Sequence, residues 1–355
     1  MGSEMRMLAG IGLVALLLLQ LTGGGGAQPL VPAIFTFGDS SVDVGNNNYL
    51  KTLFRADFPP YGRDFPNHQA TGRFCNGKLA TDLTADTLGF TSYAPAYLSP
   101  QASGSNLLIG ANFASAGSGY SDDTSNSAHA IPLSQQLEYF REYQSRLPQV
   151  AGGQTSSIIT ESLYVVSTGS SDFIQNYYVN PLLFKTQSPA QFSAFLVGIY
   201  ANFIRDLYHL GARRIGVTNL PPLGCVPVSI TLYGHGSGGC IGFLNAAAQE
   251  FNRQINASTE SLTREFPDLR ISIFDIYQPF YDLVNRPADF GFFESRRGCC
   301  GTGTVETTVF LCNPHSIGTC PNATGYVFWD AVHPSESANQ LLSDSLIGQG
   351  INLIL

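Results

Sequence analysis

Apolar residues in this chain fall into two kinds of segment. Short continuous runs at residues 33–37, 107–113, 163–167, 214–219 and 269–274 predict five buried strands. Longer stretches at 78–88, 133–147, 189–210, 241–266 and 336–347 carry helical spacing. Leu79 and Leu83 share one face of the first of these, and Leu133, Leu137, Phe140 and Leu147 one face of the second. Gly89 and Gly211 act as stop signals, and the LPPLG that follows the fourth strand reads as a turn. Strands that alternate with helices predict an α/β fold with one parallel sheet covered on both faces. No linker, charge run or repeat divides residues 28–355, so they read as a single domain. In such sheets ligands sit beyond the carboxyl ends of the strands, which makes the residues after each strand the place to look.

The first 27 residues follow a different pattern. Arg6 precedes an unbroken apolar run of 13 residues, Met7 to Leu19, and Ala27 closes a Gly stretch as a small-residue cleavage site. This is the layout of a secretory signal peptide, and the run is short against the roughly 20 residues a membrane span needs. No other stretch is long and apolar enough to span, so the mature chain is expected to start near Gln28.

Charge narrows the partners. Lys and Arg total 18 and Asp and Glu 26, a net charge of −8, and charged residues make up 12% of the chain against the usual 25% or so. So few basic residues, spread along the chain, argue against a nucleic-acid partner. The 24 Phe and 16 Tyr support a large packed core. There are seven cysteines and no CxxC pair, so structural disulfides are the reading in an oxidising compartment. Cys225 and Cys240 bracket a Gly-rich loop and are expected to pair. Cys299, Cys300, Cys312 and Cys320 supply two more bonds, neither of them between the adjacent pair, with the connectivity left open. Cys75 is then the free thiol, expected to take up an alkylating reagent. His315 sits within the cysteine cluster, but no metal site is expected there. Asn256 and Asn322 stand in glycosylation triplets.

Two residue sets follow strands. FGDSSVDVGNNN places Ser40 in a Gly-containing turn after the first strand, where a hydroxyl can attack a bound carbonyl and neighbouring N–H groups can hold the oxyanion. YVFWDAVHP places Asp330 three residues before His333, a spacing that lets the carboxylate orient the imidazole. Gly72, Gly77 and Lys78 fit a phosphate-loop pattern, but Leu79 stands where Ser or Thr would bind Mg²⁺. Gly234, Gly236 and Gly239 fit GxGxxG without a strand leading into them. There is no GxSxG and no HExxH.

The order and length of these motifs resemble the plant GDSL esterase/lipases, a branch of the SGNH hydrolases. The likeness runs through GDSSVDVGNNN, PYGRDFPNHQATGRFCNGKLATDLTADTLG, GANFASAGSG, STGSSDFIQNYY, CCGTG and FWDAVHPSESAN, from about residue 33 to 347. It implies a flavodoxin-like α/β/α sandwich on a five-stranded parallel sheet, the SGNH hydrolase fold. It implies Ser40 as nucleophile, His333 as general base and acid, and Asp330 as its orienting partner, with no metal or cofactor. It implies oxyanion donors at the backbone N–H of Ser40 and Gly117. The third block of the family usually reads GxND, and its Asn is a further donor; here Ser171 stands in that place, with Asn112 and Asn176 nearby. The resemblance implies a monomer that hydrolyses small-molecule, lipid or polysaccharide esters, secreted to the apoplast or cell wall, or else vacuolar. Acyl transfer by the same residues, and a binding protein with catalysis weakened at Ser171, are the alternatives.

Overall fold

The computed structural model describes residues 28–236, 238–306 and 312–354. The segment read as a signal peptide lies outside the described residues. Five strands form the central sheet: β1 (Ile34–Gly38), β2 (Gly110–Asn112), β3 (Leu163–Ser167), β4 (Arg214–Thr218) and β5 (Arg270–Phe274). Every pairing is parallel and the order is β2-β1-β3-β4-β5, the flavodoxin-like order with its reversal beside β1. The α/β reading therefore holds, with the ends of β1, β3, β4 and β5 displaced by at most one residue.

The second strand is shorter than the apolar run at 107–113 suggested. Residues Gly104–Ile109 turn as a 3-10 helix, and the Leu107 carbonyl accepts the Tyr143 hydroxyl at 2.5 Å instead of a ladder partner. Apolar side chains at 107–109 thus report burial rather than extension.

Helices cover both faces. On one side lie α1 (Ala80–Thr87) and α6 (Glu336–Gln349). On the other lie α2 (Leu133–Arg146), α3 (Pro189–His209) and α4 (Gly242–Glu265), and α5 (Tyr277–Asn285) packs at the edge. Local chemistry sets their ends. The Ser188 hydroxyl accepts the Gln191 N–H while the Gln191 side chain accepts the Ser188 N–H, a capping box ahead of Pro189 that starts α3. Ser335 caps α6 by accepting the Ala338 N–H at 3.2 Å, so that helix begins directly after His333 and Pro334.

The sheet face toward α2, α3 and α4 carries the main core. Phe35, Phe37, Tyr164 and Val166 meet Phe140, Tyr143 and Phe203 there, with ring centroids 4.9–5.7 Å apart for Phe35 with Tyr164, Phe140 and Tyr143 and for Phe37 with Phe140 and Phe203. Edge and tilted aromatic contacts of this kind add about 0.5–1.5 kcal/mol each beyond area burial.

A second sheet was not legible in the pattern. β6 (Glu294–Gly298) and β7 (Tyr326–Phe328) pair in parallel, apart from the main sheet. The chain between them is stapled by Cys299–Cys320 and Cys300–Cys312, and Cys225–Cys240 closes the Gly-rich loop. All three bonds match the expected framework and fix the connectivity. Among the described residues no helix is long and apolar enough to cross a membrane.

Cys75 is free, but it does not behave as the sequence suggested. It is fully buried beside Val44, Leu79 and Ala96, and burial pushes its thiol far above the ordinary range. A thiolate is the reactive form, so the folded protein shields this residue. Iodoacetamide is therefore expected to modify none of the seven cysteines in the native, unreduced protein and Cys75 alone in denaturant, read by mass spectrometry. An adduct on native Cys75, or more than one adduct per denatured chain, would contradict this arrangement.

Candidate active site

β1 ends at Gly38, and that position admits no side chain. Its φ is 143°, and a Cβ there would lie 1.9 Å from the Ser167 carbonyl oxygen of β3. The buried Gln136 of α2 holds this glycine from both sides: its side-chain oxygen accepts the Gly38 N–H at 2.8 Å and its amide donates to the Gly38 carbonyl at 2.9 Å. The chain leaves the sheet here and delivers Ser40 one residue beyond Asp39. The Asp39 carboxylate accepts the N–H and the hydroxyl of Ser41, at 3.0 and 2.7 Å. Burial raises its pKa, partly offset by those bonds.

Asp330 and His333 come not from the main sheet but from the turn after β7. One Asp330 oxygen accepts the backbone N–H of Val332 and of His333, at 2.8 and 2.7 Å, which folds the turn around the carboxylate. His333 Nδ1 lies 2.8 and 3.0 Å from the two Asp330 oxygens, and Nε2 lies 2.7 Å from Ser40 Oγ. The Tyr61 hydroxyl donates to Asp330 at 2.8 Å, and the Phe74 ring lies 5.0 Å from the imidazole. Asp330 is fully buried and His333 is 7% exposed, so the hydrogen-bonded line is shielded except at Ser40. A carboxylate on Nδ1 fixes the tautomer that leaves Nε2 free to accept from a hydroxyl.

The surrounding loops are bound by buried side chains. Asp43 accepts the N–H of Gly45 and Asn46 at 2.8 Å and of Ala116 at 3.0 Å, and burial pushes it up to about 6. Asp172 accepts from the N–H of Tyr120 and Ser121 and from the Thr124 hydroxyl, and burial pushes it up to about 7. Gly117 is therefore held in a loop tied at both ends. Neither its N–H nor that of Ser40 has an intramolecular acceptor among the described residues.

A cavity of about 210 Å³ opens at this point, lined at its mouth by Ser40, Ser171 and His333. Gly117 does not line it, although Ser115 N–H donates to the Gly38 carbonyl at 3.0 Å and keeps the loop adjacent. The Ser171 hydroxyl makes no hydrogen bond within the described chain. Asn112 is engaged elsewhere, donating to the Val42 carbonyl at 2.7 Å and accepting the Ala114 N–H, and Asn176 donates to Thr124. Asn256, on α4, and Asn322, before β7, are both exposed. No group of three or more His, Cys, Asp or Glu side chains among the described residues is placed to hold a metal ion. Tyr61, Gln136, Asp43 and Asp172 went unremarked in the sequence. Tyr61, Asp43 and Asp172 lie inside motif blocks, which was the available signal; nothing marked Gln136.

A family model described as GDSL-like lipase/acylhydrolase matches residues 34–346. The chain belongs to that family. It is 62% identical over 326 residues to the Arabidopsis thaliana protein "GDSL esterase/lipase APG", covering 92% of each chain. A second Arabidopsis thaliana GDSL esterase/lipase is 59% identical over 332 residues, covering 92% of this chain and 91% of its own length. In this family member the motif blocks of the sequence coincide with the loops that Asp43, Asp172 and Asp330 bind.

Asp43 and Asp172, both raised by burial, give stability a pH dependence. Asp172 is raised above its unfolded value of about 3.9, so its contribution is fully present below that pH and is lost as pH rises through about 7. The full swing is roughly 4 kcal/mol at 1.36 kcal/mol per pKa unit. The melting temperature is expected to climb as pH falls from 8 to 5, and Asp172→Asn should flatten that slope. A wild-type melting temperature that is constant or rises toward pH 8 would refute this.

Proposed function

We propose that the protein is a secreted serine hydrolase that cleaves carboxylic esters through an acyl-Ser40 intermediate. The observation that carries the reading is the unbroken line from Ser40 Oγ to His333 Nε2 and from Nδ1 to the buried Asp330, with a cavity lined by Ser40 and His333 at its open end. His333 takes the Ser40 proton as Oγ attacks the ester carbonyl. The tetrahedral intermediate puts negative charge on the carbonyl oxygen, and the free N–H groups of Ser40 and Gly117 are the candidate donors to it. Collapse breaks the C–O bond, and His333 returns its proton to the departing alcohol. Water, deprotonated by the same imidazole, then attacks the acyl carbon and frees the acid and Ser40. The Asp330 carboxylate on Nδ1 stabilises the imidazolium formed in each half-reaction.

Secretion is part of this proposal. It is supported by the leader pattern at residues 1–27 and by the three disulfides, which persist in oxidising compartments. The exposed side chains of Asn256 and Asn322 are compatible with glycosylation there. A fluorophosphonate probe tests the nucleophile: the folded protein should label at Ser40. Folded protein that resists labelling would favour a binding role. Added alcohol acceptors in an ester assay then separate hydrolysis from acyl transfer.

Ser40→Ala and His333→Ala should each lower kcat by on the order of 10⁴ to 10⁶, and the double variant by little more, because members of such a unit fail together. Additive losses in steady-state kinetics would speak against the shared mechanism.

Ser171 is the position where this chain departs from the family pattern. An Asn side chain reaches further than a hydroxyl and donates through two N–H bonds. If a third oxyanion donor is lost here, Ser171→Asn should raise kcat several-fold on a short-chain ester, with KM little changed and a ceiling of about 10² to 10³. A well-folded Ser171→Asn protein that is no faster would show that the role is already filled.

A further inference from the structure

The two faces of the central sheet are packed unequally. The face toward α2, α3 and α4 is filled with aromatic rings. The face toward α1 and α6 is not, and the cavity that opens at Ser40 continues down this layer. Alternate residues of β3, Ser167, Val165 and Leu163, form its sheet wall, with Ile34 of β1 and Phe274 of β5 beside them. Thr84 of α1 and Leu342 and Leu346 of α6 form the facing wall, and Gly350 and Ile354 line the far end. Gly216 of β4 keeps the gap open: a Cβ there would sit 2.2 Å from the Phe274 ring, so the ring rests against the strand backbone and leaves the space beside it.

The polarity of the lining selects the occupant. The ionisable lining residues, Asp39 and His333, both lie beside Ser40. Deeper in, the hydroxyl of Thr84 is turned to the Ala80 carbonyl and to Ser343, at 2.8 and 3.2 Å. A slender, apolar, uncharged group fits these walls. Its depth follows from the strand. Ser167 to Leu163 spans four residues, about 13 Å at the rise of a parallel strand. A zigzag hydrocarbon advances about 1.3 Å per carbon from ordinary bond lengths and angles. The slot thus measures about ten carbons.

We infer that this slot receives the acyl chain of the substrate and sets its length at about 10 to 12 carbons, an inference that rests on Ser40 being the acylated residue. The order of product release favours acyl over alcohol. The alcohol departs first and water must then reach the acyl carbon beside His333. An alcohol lodged in the slot would have to leave past the acylated Ser40. An acyl chain lodged there leaves that path clear.

The test is a series of p-nitrophenyl esters with acyl chains of 2 to 16 carbons, paired with binding of dodecanoate to the Ser40→Ala protein by calorimetry. The value of kcat/KM should climb about two- to four-fold per added carbon, the ceiling set by burial of a methylene, and stop climbing at about 10 to 12. Val165→Phe from the sheet wall and Leu346→Trp from the helix wall should each lower the ratio of twelve-carbon to four-carbon turnover at least tenfold, and weaken dodecanoate binding in the Ser40→Ala background. Two variants on opposite walls guard against one that fails to fold, and the wild-type series stands without either. Ester turnover with a flat length profile and no dodecanoate binding would overturn the slot while leaving the hydrolase reading intact. Dodecanoate binding that the wall variants abolish, in a protein that neither turns over esters nor labels at Ser40, would keep the slot and overturn the hydrolase.

Discussion

The satisfaction of loop backbone N–H groups by buried side-chain oxygens is the constraint on which this structure depends. At the carboxyl edge of the sheet the chain leaves its ladder, and its amides lose their partners while remaining out of water. An unpartnered amide in that position costs about 1–3 kcal/mol. Asp39, Asp43 and Asp172 each accept at least one backbone N–H at that edge, Asp330 does so in the turn after β7, and Gln136 and Asn112 do the same with neutral amides. Where the acceptor is ionised, such bonds are stronger than neutral ones. They convert irregular loops into fixed geometry, which a hydrogen-bonded line of 2.7 and 2.8 Å between distant parts of the chain requires.

The imidazole stands on a separate support from the hydroxyl. Its turn belongs to the small disulfide-stapled sheet, and α6 starts immediately beyond it. That start is locked to the segment before α1: Glu336 N–H donates to the Asn76 side chain at 2.9 Å, Lys78 N–H donates to Glu336 at 3.0 Å, and Asn339 donates to the Lys78 carbonyl at 3.1 Å. Arg63 ties the staple to the same turn, donating to the Cys320 carbonyl while its guanidinium lies 4.8 Å from the Trp329 ring. The site is a seam between the main sheet and this second unit.

The sequence was most legible where one physical signal dominates. Continuous apolar runs located all five central strands because a parallel sheet buried on both faces needs them, and Gly211 marked the end of α3 correctly. The exception, residues 107–109, shows the limit of that signal: burial and extension share it. Ser40, Asp330 and His333 stood out because their spacing and neighbours are specific, and the structure brings them within hydrogen-bond reach. Tyr61 and Gln136 did not, since a buried tyrosine or glutamine reads as ordinary composition until its partner is known, and the partners lie 269 and 98 residues away. Asp43, Asn46 and Asn47 look like a solvated polar loop, and all three are buried because their hydrogen bonds are made inside the protein. The small sheet escaped because β7 has three residues and β6 contains two arginines. The layer between the sheet and α6 escaped because an unfilled space leaves no mark on hydropathy.

Ser40 and His333 stand 293 residues apart. During synthesis, at roughly 5–20 residues per second, the serine is made some 15 to 60 s before the histidine exists. In that interval the nascent chain carries a hydroxyl with no base to take its proton. Even the completed chain lacks the pair until the small sheet has docked on the main one, a contact of the long-range kind that forms slowly. On the proposed mechanism, a fragment ending before residue 333 holds the five strands of the main sheet and the Ser40 hydroxyl but lacks the imidazole that would activate it. On that mechanism the reactivity of Ser40 waits for a finished and fully assembled chain.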